Sequence, residues 1–192
     1  MATLKHVLAA PRYGFEGTPT SRQILREFFY RMNIVRTRKA WLPLFGWGMT
    51  GLLLIPLVVF AVRYFSLPLL AAGFVYSMVL LGSHGTFYLH RYATHRAYRF
   101  RNPVWRFLCK NLVIKIVPEE VYVISHHVHH LYSEKDGDPY NAGKGWLYCF
   151  LADVNHQPIS HELTESGYSR VTMLLNHCGI RDQTLDNGGI KE

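Results

Sequence analysis

Histidine is the residue whose number and spacing suggest chemistry. The chain has 192 residues and eleven histidines, and all but His6 and His177 fall between His84 and His161. Two groups have spacings suited to a metal. One is His90-Arg-Tyr-Ala-Thr-His95; the other is His126-His127-Val-His129-His130. An α-helix turns about 100° per residue, so relative to His126 the side chains of His129 and His130 stand at about 300° and 40°, on one face. Three imidazoles there can chelate one metal or share two. His127, at about 100°, lies off the centre of that face and ranks lower. His90 and His95 would stand about 140° apart on a straight α-helix. They converge only if the helix ends or bends between them; otherwise each serves a different metal. The three cysteines are scattered with no CxxC, which excludes a cysteine zinc finger and a disulfide scaffold. Imidazole donors suit Zn, Fe, Cu and Ni, and spacing does not choose among them. Neutral histidines need acceptors to fix their tautomers. Asp136, Asp138, Glu119, Glu120 and Asn141 are close enough in sequence to serve. His84 is expected to pack or hydrogen-bond within its helix, and His6 and His177 to lie at the surface.

The elements that position these groups read as membrane helices. Residues 42–62 form 21 positions without a charge, about 30 Å as a helix, the thickness of a bilayer core. Pro56 lies inside the run, which membrane helices tolerate. A second apolar run, Tyr64 to Leu89, follows after Arg63, so the two form a helical hairpin whose open ends share one side of the membrane. Residues 1–41 carry eight Lys/Arg against two acids. Arg91, Arg96, Arg99, Arg101, Arg106, Lys110 and Lys115 follow the second run, while the turn has only Arg63. The positive-inside rule then places the N-terminus, the histidines and the C-terminal half in the cytoplasm. The competing reading is a soluble protein with two buried helices, but core helices are usually shorter and flanked by fewer cations. Residues 103–117 alternate bulky apolar side chains with cations. They are expected to form an interfacial helix with Trp105 at headgroup level. The expected architecture is therefore all-α and integral to a membrane. It has a basic arm (1–41), a hairpin (42–89) and a polar tail (151–192). No nucleic-acid partner is expected.

At this point the residues resemble a known family. GTFYLHRYATHRAYRF (85–100) is similar to the first histidine box of membrane fatty acid desaturases, and ISHHVHHLYSEKDGDPYNAGKGW (124–146) to the second box and its continuation. The continuation matches at Tyr132, Ser133, Glu134, Asp136, Asp138, Pro139, Asn141, Gly145 and Trp146. The likeness is to the acyl-CoA or acyl-lipid group and covers roughly residues 42–150.

The resemblance implies a four-helix membrane fold with a cytoplasmic helical cap and a non-haem diiron centre, with O2 as co-substrate. It implies His90, His95, His126, His129 and His130 as iron ligands, with Asp136, Asp138 and Asn141 supporting them or the cap. It further implies a cis double bond formed in a fatty acyl-CoA or acyl-lipid, with electrons from a cytochrome b5 or ferredoxin-type carrier, at the inner membrane or endoplasmic reticulum. The family also carries a second hairpin and a third HxxHH-like box. Residues 151–192 hold neither, so the desaturase fold is expected to be partial. The chain is then a fragment, a truncated gene product, or one completed by a partner chain. His156 and His161 are spaced HxxxxH but interrupted by Pro158, so a surface loop is expected and the pair ranks low as ligands. Two other functions stay open: a membrane diiron hydroxylase or alkane-type monooxygenase, and an inactive remnant.

Overall fold

The computed structural model describes residues 7–36, 40–113, 118–156, 159–160 and 164–178. His6 and His161 lie outside them, as does the side chain of His177. The described residues are helical, apart from one isolated antiparallel bridge between Leu8 and Ile159. The chain divides into two compact units, Trp41–Ile116 and a second made of Met1–Ala40 with Val117–Glu192.

In the Trp41–Ile116 unit, α2 (Trp41–Arg63) runs 23 residues with Pro56 inside it. After a three-residue link, α3 (Leu67–Leu81) begins with proline in its first turn. It continues without a break into a π-helix, Gly82–Thr94. Together these last two form a 28-residue helix. Both helices are long and apolar enough to cross a membrane, and only 6% of each apolar window is buried. Leu52, Leu53, Leu54 and Ile55 are all more than half exposed. That much outward apolar surface suits lipid rather than water.

The π segment ends at His95. Arg96 takes a left-handed φ of 49°, and the chain then runs to α4 (Pro103–Asn111), which Asn102 caps by accepting from the Val104 amide at 2.8 Å. The helix expected over 103–117 thus covers 103–111, and 114–117 lie outside the described residues. Buried His84 bonds through Nδ1 to the Cys109 carbonyl oxygen at 2.9 Å, which ties the π segment to α4.

In the other unit, α1 (Ser21–Arg31) opens with a capping box: Thr20 accepts from the Gln23 amide, and the Gln23 side chain accepts from the Thr20 amide. Its buried face carries Ile24 and Phe28 with Glu27 between them. Arg12 and Arg31 donate to the two oxygens of Glu27 at 2.8 and 2.7 Å. Burial alone would raise the Glu27 pKa, but the two guanidinium hydrogen bonds outweigh it and the pKa falls. Two charges of the basic segment therefore neutralise one buried acid. The described part of residues 1–41 does not form the solvated arm expected. α1 packs on α6 (Trp146–Phe150) and α7 (Ala152–Asn155). Nor is the described part of 151–178 a tail. In α8 (Glu165–Cys178), Val171 and Leu175 are fully buried, and the helix packs on α5 (Glu119–Tyr132).

His156 corrects a second expectation. It is not on a surface loop: its exposure is 0%. The ring lies against Tyr148, with centroids 4.1 Å apart, and its Nε2 meets the Tyr13 hydroxyl. Burial, then the positive charges of Arg31 and Lys144, push its pKa down to about 3. The unfolded chain takes up this proton near pH 6.5, whereas the folded chain resists it until about pH 3. Stability from neutral His156 is complete above pH 6.5 and is lost as pH falls toward 3. Unfolding free energy should drop by about 1.4 kcal/mol per pH unit in that window, beyond the carboxylate contribution. Denaturant titrations of wild type and His156→Gln at pH 7, 6, 5 and 4 check this. Parallel pH profiles for the two proteins would contradict it.

Candidate metal centre

Each unit presents one histidine group. In the Trp41–Ile116 unit the pair is placed by the π-helix, whose backbone bonds run from each N–H to the carbonyl five residues earlier. The His95 amide bonds the His90 carbonyl at 3.1 Å, and the Thr94 hydroxyl bonds the Leu89 carbonyl at 2.9 Å. Residues five apart thus stand one above the other, and the His90 and His95 rings have centroids 4.7 Å apart. The separation of about 140° belonged to an α-helix; the wider turn removes it. Each ring offers a nitrogen within 4.8 Å of the other's.

In the other unit the second group lies in the last two turns of α5, as its spacing predicts. The Nε2 atoms of His126 and His130 are 3.1 Å apart. The His129 ring centroid lies 6.0 Å from that of His126 and 5.7 Å from that of His130. His127 sits on the same helix, partly buried. The helix is held through Val123, Ile124 and Val128, all buried, which leaves the histidine edge to do something other than fill the core.

Of the three polar residues after this box, Asp138 bonds a histidine. Its Oδ1 meets His129 Nδ1 at 2.8 Å and accepts the Tyr140 amide at 2.8 Å. Its Oδ2 accepts the Glu134 amide at 2.8 Å. Asp138 is fully buried, so these donors are its solvation. A carboxylate on Nδ1 selects the tautomer that leaves Nε2 as the electron-pair donor. Asp136 and Asn141 work elsewhere. Asp136 pairs with Lys144 at 3.0 Å, and Lys144 also donates to the Phe15 carbonyl. Asn141 donates to the Lys135 carbonyl at 3.2 Å and accepts from the Gly143 amide at 2.9 Å. Both fold the loop that carries Asp138.

That loop depends on Gly137, whose φ is +97°. A Cβ there would meet the Tyr132 ring at 3.7 Å, an ordinary contact, so the cost of a side chain is conformational. Gly137→Ala should destabilise this unit by about 1–2 kcal/mol. A denaturation midpoint equal to wild type would contradict that reading.

Sequence reasoning did not find Tyr122 and Tyr140. The Tyr122 ring stacks on His126 at 5.6 Å and 10°, and Tyr140 meets His129 edge-on at 5.5 Å. Burial raises the hydroxyl pKa of both. They are neutral walls beside the imidazoles. The i,i+4 step from Tyr122 to His126 was a signal that could have pointed to the first. Nothing local pointed to the second.

Membrane-length helices and imidazoles paired at one-turn spacing define a class: all-α membrane proteins built to present histidines. The chain belongs to the fatty acid desaturase family, whose model matches residues 64–160, just over half of it. It is similar to an sn-1 stearoyl-lipid 9-desaturase of Anabaena variabilis, 34% identical over 76 residues, which is 38% of this chain and 27% of the relative. The match thus spans about a quarter of that relative's length. No solved structure matches.

Proposed function

We propose that the chain is a portion of an O2-dependent desaturase that forms a cis double bond in a fatty acyl chain at a histidine-held diiron centre. The observation that carries this reading is the histidine edge of α5, with two Nε2 atoms 3.1 Å apart and a third ring fixed through Nδ1 by Asp138. An imidazole set oriented by a buried carboxylate fits a redox-active iron. His90, His95, His126, His129 and His130 are its proposed ligands. When bound, iron supplies the redox step with dioxygen that side chains cannot. The chain's own contribution is to hold the five imidazoles, to fix the His129 tautomer through Asp138, and to limit water with Tyr122 and Tyr140. The desaturase portion is assigned to residues 42–150. The N-terminus, the histidines and the C-terminal half are assigned to the cytoplasmic face, from the imbalance of cations.

The relative's name favours an acyl-lipid over an acyl-CoA substrate. A cytochrome b5 or ferredoxin-type carrier is the proposed electron donor. Acyl composition of a desaturase-deficient host membrane tests the reading, with wild type against His129→Ala. A double bond present only with wild type supports it. An alcohol at the same carbon would assign the chain to the related hydroxylases. Identical profiles would sink the enzymatic reading and favour a remnant without turnover.

A further inference from the structure

Outside the histidines, the most one-sided chemistry lies where the second apolar helix gives way to α4. No Asp or Glu occurs between Phe28 and Pro118, and seven cations lie between Arg91 and Lys115. An open groove of about 750 Å³ is formed here by Tyr98, Arg99, Phe100, Arg101, Trp105 and Cys109. Its floor is fixed. The Tyr98 hydroxyl donates to the Phe87 carbonyl at 2.7 Å, and the Tyr98 and Phe100 rings pack edge to face at 5.2 Å. Phe100 packs in turn on Tyr92 at 4.9 Å. Arg99 and Arg101 are exposed, and neither makes a hydrogen bond or ion pair with another described residue. Beside them α4 turns Val104, Trp105 and Phe107 outward, each more than half exposed.

We propose that this groove is a binding site for the headgroup of an anionic membrane phospholipid. Apolar side chains alone would describe a helix resting in any bilayer. Cations alone would describe attraction to any anion. Here two guanidiniums without carboxylate partners share a groove with aromatic rings, four to seven residues past Thr94, the last residue of the membrane-length helix. That is the depth at which a phosphodiester meets its acyl chains. A guanidinium fork matches phosphate oxygens, and Trp105 suits the boundary between headgroup and hydrocarbon. This reading needs neither a metal nor turnover.

The test is native mass spectrometry of the full chain released from micelles with equal phosphatidylglycerol and phosphatidylcholine of one acyl composition. Wild type should retain phosphatidylglycerol preferentially. R99Q/R101Q should lower that preference about tenfold. R22Q/R26Q removes the same charge from exposed positions of α1 and should leave it unchanged. Helicity by circular dichroism checks the fold. If R99Q/R101Q loses it, the single variants carry the test, each expected to lower the preference about threefold. Three results would overturn the proposal: an unchanged preference in the Arg99 and Arg101 variants, an equal loss in R22Q/R26Q, or displacement of the lipid by millimolar inorganic phosphate. The last would assign the groove to a soluble phosphate compound.

Discussion

H126A/H130A should bind no iron above background and form no double bond, a loss of at least about 100-fold in product. The two Nε2 atoms lie 3.1 Å apart, and no other side chain on α5 replaces two adjacent donors at once. Stability should barely change. His130 is exposed and His126 partly so, while the contacts that hold α5 belong to Val123, Ile124 and Val128. That separation makes the result interpretable: helicity and denaturation midpoint stay, and metal goes. The measurement is elemental iron per chain after loading, in detergent, with the five-histidine alanine form as blank. Wild type at about two irons above blank, falling to the blank in the double variant, is the expected pair of values. Equal iron in both proteins would remove these histidines from the site.

Asp138→Ala should act in the opposite proportion, on the fold first. The carboxylate receives two backbone amides in a site with no solvent exposure and bonds a histidine nitrogen there. Removing it strands these buried groups, at a cost of about 3–5 kcal/mol to this unit. Asp138→Asn keeps the shape and one acceptor oxygen, so the loop should survive in part. The His129 tautomer is then no longer held by a charge, and iron affinity should fall by about 10–100-fold. Urea denaturation and an iron titration of both variants separate the two effects. If Asn weakens folding as much as Ala but leaves affinity at wild type, Asp138 is structural only.

How much of this could be read from residues alone depends on how local the cause is. The histidine face of α5 follows from a 100° turn applied to three positions, and the helix obeys it. The apolar runs fix the two long helices because length and lack of charge suffice. His90 and His95 were harder. Their spacing conflicts with an α-helix, and spacing alone does not say which way the conflict is resolved. His156 failed for a different reason. Polar neighbours and Pro158 describe a loop, but burial comes from Tyr13 and Tyr148, and Tyr13 is 143 positions away. The N-terminal segment failed likewise. A charge count sums Arg12, Glu27 and Arg31 without knowing that they share one buried cluster. Tyr140 beside His129 needed the fold of the loop around Gly137.

The π-helix also decides which changes of length the chain can accept. Loops absorb an added or lost residue by bulging. A continuous helix cannot, because every backbone bond beyond the change must be remade. In Gly82–Thr94 a lost residue has an easy refuge: the wide turns can tighten into an ordinary helix. Applied between His90 and His95, that shortening would leave the two histidines four apart, neighbours once more on a narrower helix. The pair would survive. What would not survive is the direction in which the chain leaves the helix, since everything after His95 would swing by about a quarter turn. Tyr98 would then lose its hold on the Phe87 carbonyl. The surplus residue in this helix is therefore best understood as an aiming device for the segment that follows it.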